Sequence, residues 1–188
     1  MRKMCFFMVA VVFCLGIMVS GCASAGVMPA ETRAADDTTA TVYFMMPGSG
    51  VTMSGFGSLT VGTQFSLWKD DTFLSNIGGK EYVVFHFEEG THFFTASGEN
   101  YYTVQAELAA GKSYYIELIT LPGFNRPNVG VKSLNPEDPE IENYLKNSKE
   151  IKPKGKVTDS MVKKVGETLS NAKAGSQNID IISADRGR

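Results

Sequence analysis

The sequence predicts an all-β fold, a small antiparallel β-sandwich followed by one or two C-terminal helices. Between residues 40 and 135, short runs rich in β-branched and aromatic residues are separated by turn residues at close, regular spacing. Several of these runs alternate apolar with polar side chains, as strands with one buried face do. After residue 135 the apolar residues recur at helical spacing instead.

The first strand is predicted at residues 41–46. A glycine-rich stretch follows at residues 47–62, where we expect a loop with at most one short strand, because it lacks the lysine and following helix of a phosphate-binding loop. Further strands are predicted at 64–68, 72–77, 82–88, 92–96, 101–108 and 114–119, with a last one at 129–134.

Alternation within the strand at residues 101–108 predicts its inner face, because a slip of one residue would exchange the two faces. Tyr102, Val104, Ala106 and Leu108 form that inner face. Joining the four strands between residues 82 and 119 by consecutive hairpins gives an antiparallel meander. The expected inner pairs are Phe94 with Phe85 and Val104, Ala96 with Val83 and Tyr102, Ile116 with Ala106, and Leu118 with Val104. The earlier strands would then form a second sheet over this face, giving a sandwich over residues 40–135.

Residues 136–175 are predicted to form a helical appendage. Asp138-Pro139 is a good helix start, because proline suits the first helical position. A lysine-rich linker at residues 149–157 leads to a second helix, which begins at Thr158 or Asp159 and ends near Gly175. Residues 176–188 are predicted to be a disordered tail.

The N-terminus is predicted to be an export signal. Arg2 and Lys3 precede an uncharged apolar run at residues 4–19, which is shorter than the roughly 20 residues of a spanning helix. The run ends in Val19-Ser20-Gly21-Cys22, which resembles the lipobox of bacterial lipoproteins. This resemblance implies a signal peptide at residues 1–21, cleavage between Gly21 and Cys22, and lipidation of Cys22. The alternatives are an uncleaved anchor, or an ordinary signal cut after Ala23 or Ala25.

Lipidation would leave a soluble body on a membrane tether at residues 22–39. Lipoproteins of this kind carry several acyl chains, and each buried methylene contributes roughly 0.8 kcal/mol, so attachment would be near-permanent. Ala23 stands where Asp would favour retention in the inner membrane, which points to the periplasmic face of the outer membrane.

Composition excludes several classes of function. The cysteines are Cys5, Cys14 and Cys22, so a chain that begins at a lipidated Cys22 has no disulfide and no thiolate metal ligand. Removal of Arg2 and Lys3 reduces 18 basic side chains to 16, against 20 acidic ones, for a net charge near −4. That acidity gives no electrostatic case for binding nucleic acid.

The body of the chain is similar to a family of small bacterial lipoproteins, known as domain of unknown function 2846, which has a prealbumin-like β-sandwich. The resemblance covers residues 40–121, and its most specific part is the Gly111-Lys112 turn before Tyr114-Tyr115. It implies a fold and a lipid anchor, but no activity and no site residues.

No catalytic set emerges from the sequence, and we expect neither a cofactor nor a metal. His86 and His92 are the only histidines, and the register puts His86 on the outer face and His92 on the inner one, so they cannot easily share a metal.

The outer face of the central strands is more informative, because it is more apolar than a solvated face needs to be. Packing of the helix around residues 141–145 is one explanation, and a partner surface or a glycan platform is the other. The candidate surface is Tyr82, Val84, His86, Phe93 and Trp68. The sequence therefore predicts a lipid-anchored, non-enzymatic envelope module that binds or scaffolds another envelope protein or the cell wall. The alternative is a lipoprotein that binds a small ligand, such as a glycan or a peptide, through these aromatics.

Overall fold

The structure, a computed structural model, describes Pro29 and residues 36–48, 63–176 and 179–187. The predicted signal peptide, Cys22, most of the predicted tether and residues 49–62 of the glycine-rich stretch lie outside the described residues. None of the described helices is long and apolar enough to cross a membrane.

The described residues form ten strands and two α-helices. The strands are β1 (Thr39–Met46), β2 (Gln64–Lys69), β3 (Thr72–Gly78), β4 (Glu81–Glu88), β5 (Gly90–Ser97), β6 (Tyr101–Leu108), β7 (Ser113–Leu121), β8 (Asn128–Leu134), β9 (Lys149–Glu150) and β10 (Asp180–Ile182). The helices are α1 (Glu140–Asn147) and α2 (Asp159–Lys173), and a short 3-10 helix follows at Ala184–Arg186. The predicted strands and helices are therefore all present, with ends that differ by a few residues at most.

Two five-stranded sheets pack face to face, which confirms the predicted β-sandwich. Sheet 1 has the order β8-β7-β1-β4-β9, and sheet 2 has the order β10-β6-β5-β2-β3. Without β9 and β10, sheet 1 has the order β8-β7-β1-β4 and sheet 2 has the order β6-β5-β2-β3. The sandwich is not purely antiparallel, because β1 pairs with β7, β4 with β9 and β6 with β10 in parallel.

The predicted four-strand meander is wrong, because consecutive strands change sheets at two corners. β4 pairs with β1, whereas β5 pairs with β6 and β2. Only Glu89 separates β4 from β5, and Gly90 follows at φ +127°, a conformation that favours glycine. The second corner lies between β6 and β7, where Thr41 N–H donates to the carbonyl of Lys112 at 2.8 Å and so aligns β7 beside β1.

The predicted inner faces are nevertheless correct. Phe94 pairs with Val104 and Ala96 with Tyr102, as expected, while the expected partners of Val83, Phe85, Ile116 and Leu118 are wrong. All these side chains still enter one core between the sheets. Alternation determines which side of a strand is buried, but it does not determine which strand lies next to it. The core includes Val42, Phe44, Phe65, Leu67, Val83, Phe85, Phe94, Val104, Ala106, Ile116 and Leu118.

Helix α1 covers the outer face of sheet 1, where Ile141 packs with Met45 and Leu134. Helix α2 covers the outer face of sheet 2, where Val165 packs with Trp68 and Phe73. The region predicted as an appendage at residues 136–175 is therefore a third and a fourth layer of the fold.

Residues 149–157, predicted as a lysine-rich linker, pair with both sheets although their lysines are exposed. β9 extends sheet 1 beside β4, and Asn76 N–H on β3 donates to the carbonyl of Lys154 at 2.8 Å. Lys154 also pairs with Glu81 at 2.6 Å. The segment thus runs along one open side of the sandwich, from the edge of sheet 1 to the edge of sheet 2.

The tail predicted as disordered at residues 176–188 instead contains β10 and the 3-10 helix. Ile182 is buried in the main core, beside β6 on the other side of the sandwich from β9. The sequence signal for this strand was Ile179, Ile181 and Ile182, which is too short to stand out in a polar segment.

Burial of Val165 predicts that α2 stabilises the sandwich. Val165→Ala removes two methyl groups from a fully buried site, so we expect the free energy of unfolding to fall by about 2 kcal/mol. Lys163→Ala, on the exposed side of the same helix, should change it by less than about 0.5 kcal/mol. Urea denaturation measures both, and equal stability of the two variants would contradict the packing of α2 on sheet 2.

Candidate functional site

The candidate partner surface does not form a single face, because β4 and β5 belong to different sheets. Tyr82, Val84 and His86 lie on the outer face of sheet 1. Phe93 and Trp68 lie on the outer face of sheet 2. The structure therefore separates these five residues into two groups on opposite sides of the sandwich.

Trp68 is buried and cannot contact a ligand in this structure. Its indole ring lies 5.3 Å from the ring of Phe73 and packs beneath α2, and its Nε1–H donates to Ser97 Oγ at 3.3 Å. Phe93 is half-buried, with the Lys173 ammonium group 5.1 Å from its ring centroid. Glycan platforms need an open aromatic face, so the expectation that Trp68 belongs to such a platform is wrong.

Tyr82 belongs to a tyrosine cluster on sheet 1, formed by Tyr43, Tyr82, Tyr115 and Tyr144 around α1. The rings of Tyr43 and Tyr115 stack at 4.8 Å. All four side chains are half-buried. The explanation that a C-terminal helix covers the outer aromatics is therefore confirmed for Tyr82, and a different helix, α2, covers Trp68.

Carboxylates surround the tyrosine cluster. The Tyr82 hydroxyl donates to Glu150 at 3.2 Å, and the Tyr144 hydroxyl lies 3.4 Å from both Glu117 and Glu140. Burial first, and then these two neighbouring carboxylates, raise the pKa of Tyr144 to about 12. Burial and then Glu150 raise the pKa of Tyr82. The phenols therefore act as hydrogen-bond donors that satisfy carboxylates at the margin of the helix.

The two histidines lie in different surroundings, as the sequence predicts. On the outer face of sheet 1, His86 Nδ1 lies 3.1 Å from the Thr41 hydroxyl. On the inner side of β5, the His92 ring packs 5.8 Å from the ring of Phe87, and its Nε2–H donates to the carbonyl of Glu88 at 2.8 Å. Among the described residues no group of three His, Cys, Asp or Glu side chains could hold a metal ion.

The largest exposed apolar side chain of the described residues lies at one end of the sandwich. Phe124 is 88% exposed, and Leu121, at the end of β7, is 42% exposed. We call residues 122–127 the Phe124 loop; it connects β7 to β8. Phe124 and Leu121 together form a small exposed apolar patch.

The Phe124 loop is held in one conformation by Glu99, in the turn between β5 and β6. The Glu99 carboxylate accepts hydrogen bonds from the backbone N–H groups of Phe124, Asn125 and Arg126 at 2.7 to 3.1 Å. These bonds, chiefly that from Arg126, lower the pKa of Glu99 below its ordinary value. A side chain at Gly123 would collide with the carbonyl of Arg126, so the turn requires glycine. Phe124 is thus displayed on an ordered loop.

The two ends of the sandwich differ in chemistry. We call the end with the start of β1 the N-terminal pole and the end with the Phe124 loop the distal pole. β1 and β7 run in parallel, so the loop that follows β7 lies at the opposite end from Thr39. The N-terminal pole has an open depression of about 380 Å³ lined by Asp37, Thr38, Glu88, Glu89 and Ala110. The depression at the N-terminal pole carries three carboxylates, whereas the described part of the distal pole carries the exposed Phe124 and Leu121.

Sequence reasoning missed the Phe124 loop. The available signal was an aromatic and an arginine between Pro122 and Pro127, a segment that otherwise reads as a connecting loop. Glu99 precedes Phe124 by 25 residues, and no local sequence pattern links the two residues.

Comparison with known proteins gives no relative for this fold and this site. The chain matches no protein-family model. Searches of curated proteins and of solved structures find no significant match.

The raised pKa of Tyr144 predicts loss of stability in alkali. The folded protein favours the protonated phenol, so this contribution is complete below pH 10 and is lost as the pH rises towards 12. We expect Tyr144→Phe to reduce the alkaline loss of unfolding free energy by up to about 1 kcal/mol, after allowance for solvent screening. Glu117→Gln should keep the phenol and shift its titration towards pH 10. Denaturation between pH 8 and pH 12 tests this, and identical alkaline profiles for wild type and Tyr144→Phe would contradict it.

Proposed function

We propose that this chain is a lipid-anchored, non-enzymatic envelope lipoprotein whose sandwich binds or scaffolds a partner. The observation that carries the proposal is the Val19-Ser20-Gly21-Cys22 sequence after a basic and apolar leader. Its membrane would be the outer membrane, on the periplasmic face, because Ala23 stands where a retention signal would lie. We also propose that the chain is related to the lipoprotein family known as domain of unknown function 2846.

The position of the N-terminal pole supports this arrangement. Thirteen residues separate Cys22 from the first residues of the body at Asp36, and a coil of that length would span roughly 20 Å. The nine residues of β7 extend roughly 30 Å away from that pole. A body tethered through Cys22 would therefore keep its N-terminal pole near the lipid headgroups and direct its distal pole away from them.

The Phe124 loop supports the binding part of the proposal. Phe124 and Leu121 give an apolar anchor, and the exposed Arg126 lies beside them. Aromatic and arginine side chains dominate the energy of protein interfaces. Since Glu99 already fixes the loop, a partner would lose little conformational entropy by ordering it. We propose another envelope protein as the partner at this loop, with the cell wall as the alternative.

The arrangement of titratable side chains supports a non-enzymatic role. His86 and His92 lie on different sheets and each contacts its own neighbours. The carboxylates around the tyrosine cluster accept bonds from phenols and lie at the margin of a packed helix.

Cys22→Ser tests the anchor. We expect the full-length protein to leave the membrane fraction, or to remain as an unprocessed precursor that incorporates no labelled fatty acid, because serine cannot form the thioether linkage. Cys14→Ser, within the predicted signal, is the matched control and should leave fractionation unchanged. Equal fatty-acid labelling of the Cys22→Ser protein would disprove the proposal.

Phe124→Ser tests the partner surface. In intact envelopes treated with a crosslinker, we expect the wild-type chain to give a discrete product with a second protein. Loss of an interface anchor weakens binding by about tenfold or more, so Phe124→Ser should reduce that product strongly. Ile181→Ser removes another exposed apolar side chain, from a different surface, and should have little effect. A product of equal yield from all three chains would place the partner elsewhere.

A further inference from the structure

The segment that closes one side of the sandwich, residues 149–157, displays lysines between residues that anchor it. Ile151 packs against the main core, and Val157 is buried with Trp68. Between and before these two anchors the lysine side chains are exposed. We call the four exposed lysines of this segment the lysine strip: Lys149, Lys152, Lys154 and Lys156.

The backbone of the lysine strip is fixed to both sheets. Beside β4, Ile151 N–H donates to the carbonyl of Tyr82 at 2.9 Å. Beside β3, Lys154 N–H donates to Ser75 Oγ at 3.1 Å, and a side chain at Gly155 would collide with that strand. The lysines therefore project from an ordered backbone, and a ligand would not have to order that backbone on binding.

The fold neutralises only part of the charge of the lysine strip. The Lys154 ammonium group pairs with the Glu81 carboxylate at 2.6 Å, and Lys149 acts on the same carboxylate at longer range. Within the described residues, Lys152 and Lys156 form no ion pair. The whole chain has a net charge of −2, so this concentration of unpaired positive charge does not follow from its composition.

The length of the lysine strip suits an extended ligand. Lys149 and Lys156 are seven residues apart, which corresponds to at most roughly 23 Å of extended chain. Charges in water are screened beyond about 10 Å at moderate ionic strength. A small anion would therefore interact with one or two of the lysines, whereas a linear polymer could interact with all of them.

The carboxylates around the lysine strip favour a thin ligand over a flat one. Glu150 lies within the segment, Glu142 lies on α1 before it and Asp159 begins α2 after it, and all three are exposed. A thin polymer can follow the lysines and avoid these side chains. A flat anionic surface such as a membrane would come close to them and be repelled.

We infer that the lysine strip is a binding site for a linear polyanion, a polymer that repeats phosphate or carboxylate groups along an extended chain. Lysine ammonium groups act as point charges and lack the planar fork of arginine, so the site would select for charge and shape rather than for one planar group. This inference does not depend on lipidation of Cys22 or on the Phe124 loop.

The test measures binding of the full chain to fluorescent long-chain polyphosphate and fluorescent polyglutamate by anisotropy at several salt concentrations. The variant combines Lys149→Gln, Lys152→Gln and Lys156→Gln, and keeps Lys154 because its pair with Glu81 fixes the segment. We expect Kd for at least one polymer to rise about tenfold or more in the variant. The slope of log Kd against log salt concentration should fall by about two, because three fewer ammonium groups displace counterions from the polymer.

The matched control removes the same charge from other exposed positions, with Lys132→Gln, Lys163→Gln and Lys164→Gln combined. This control should bind almost as well as the wild type. Equal loss of binding in the two triple variants would reduce the effect to net charge and overturn the inference. Failure of the wild-type chain to bind either polymer at low salt would also overturn it.

A gain of binding provides a second test that loss of folding cannot imitate. Glu81→Gln removes the partner of Lys154, so we expect affinity for the polymer to rise about fivefold. Glu167→Gln removes the partner of Lys163 on α2 and should leave affinity almost unchanged. Equal affinities of these two variants would contradict the inference. Binding to vesicles of phosphatidylglycerol that requires the lysine strip, without binding to either polymer, would assign the strip to a membrane surface and overturn it.

Discussion

Trp68 lies on the outer face of sheet 2, on the side that a two-layer sandwich would expose to water. Burial of a large aromatic side chain removes about 200 Å² from solvent, and at about 25 cal/mol per Å² this contributes about 5 kcal/mol before entropic costs. Sheet 1 has the same property, because Met45 is fully buried on its outer face. The two sheets therefore require further layers, and helices α1 and α2 provide them.

The connections between these layers close the sides of the sandwich. Residues 149–157 follow the edge from β4 to β3, and β10 extends sheet 2 beside β6 on the other side. Backbone groups at a sheet edge need partners, and here short segments of the same chain provide several of them. The C-terminal third therefore covers two faces and two sides, which explains why it is ordered although its sequence is polar.

Most of the fold could be predicted from the sequence, and the pairing of its strands could not. Alternation in residues 101–108 fixes which side chains enter the core, and the structure confirms that Val104 and Ala106 do so. The same alternation is satisfied whether β5 pairs with β4 or with β2, because both arrangements bury Phe94. The choice depends on the corner at Gly90 and on the alignment of β7 with β1, and neither has a signal in a single sequence.

The candidate site was less predictable, because its residues are distant in the sequence. An apolar outer face indicated a covering layer or a partner, and the structure shows two helices that cover Tyr82 and Trp68 separately. The Phe124 loop depends on Glu99, a contact between residues 25 positions apart. Single exposed aromatics are common, so Phe124 gains meaning only from the three backbone bonds that order its loop.

The surfaces that remain open limit where a partner can bind. Helices pack on the outer faces of both sheets, and segments of the same chain pair with β4 and β6, so among the described residues the most exposed apolar side chain, Phe124, lies at an end of the sandwich. A tether through Cys22 would bring the acidic N-terminal pole close to the membrane, where anionic headgroups would repel Asp37 and Glu89. The distal pole would lie beyond the reach of that field, since it decays within about 10 Å at moderate ionic strength. With the proposed tether, repulsion at the N-terminal pole would turn the body outwards, and the Phe124 loop, already ordered by Glu99, would need little reorganisation to bind a partner.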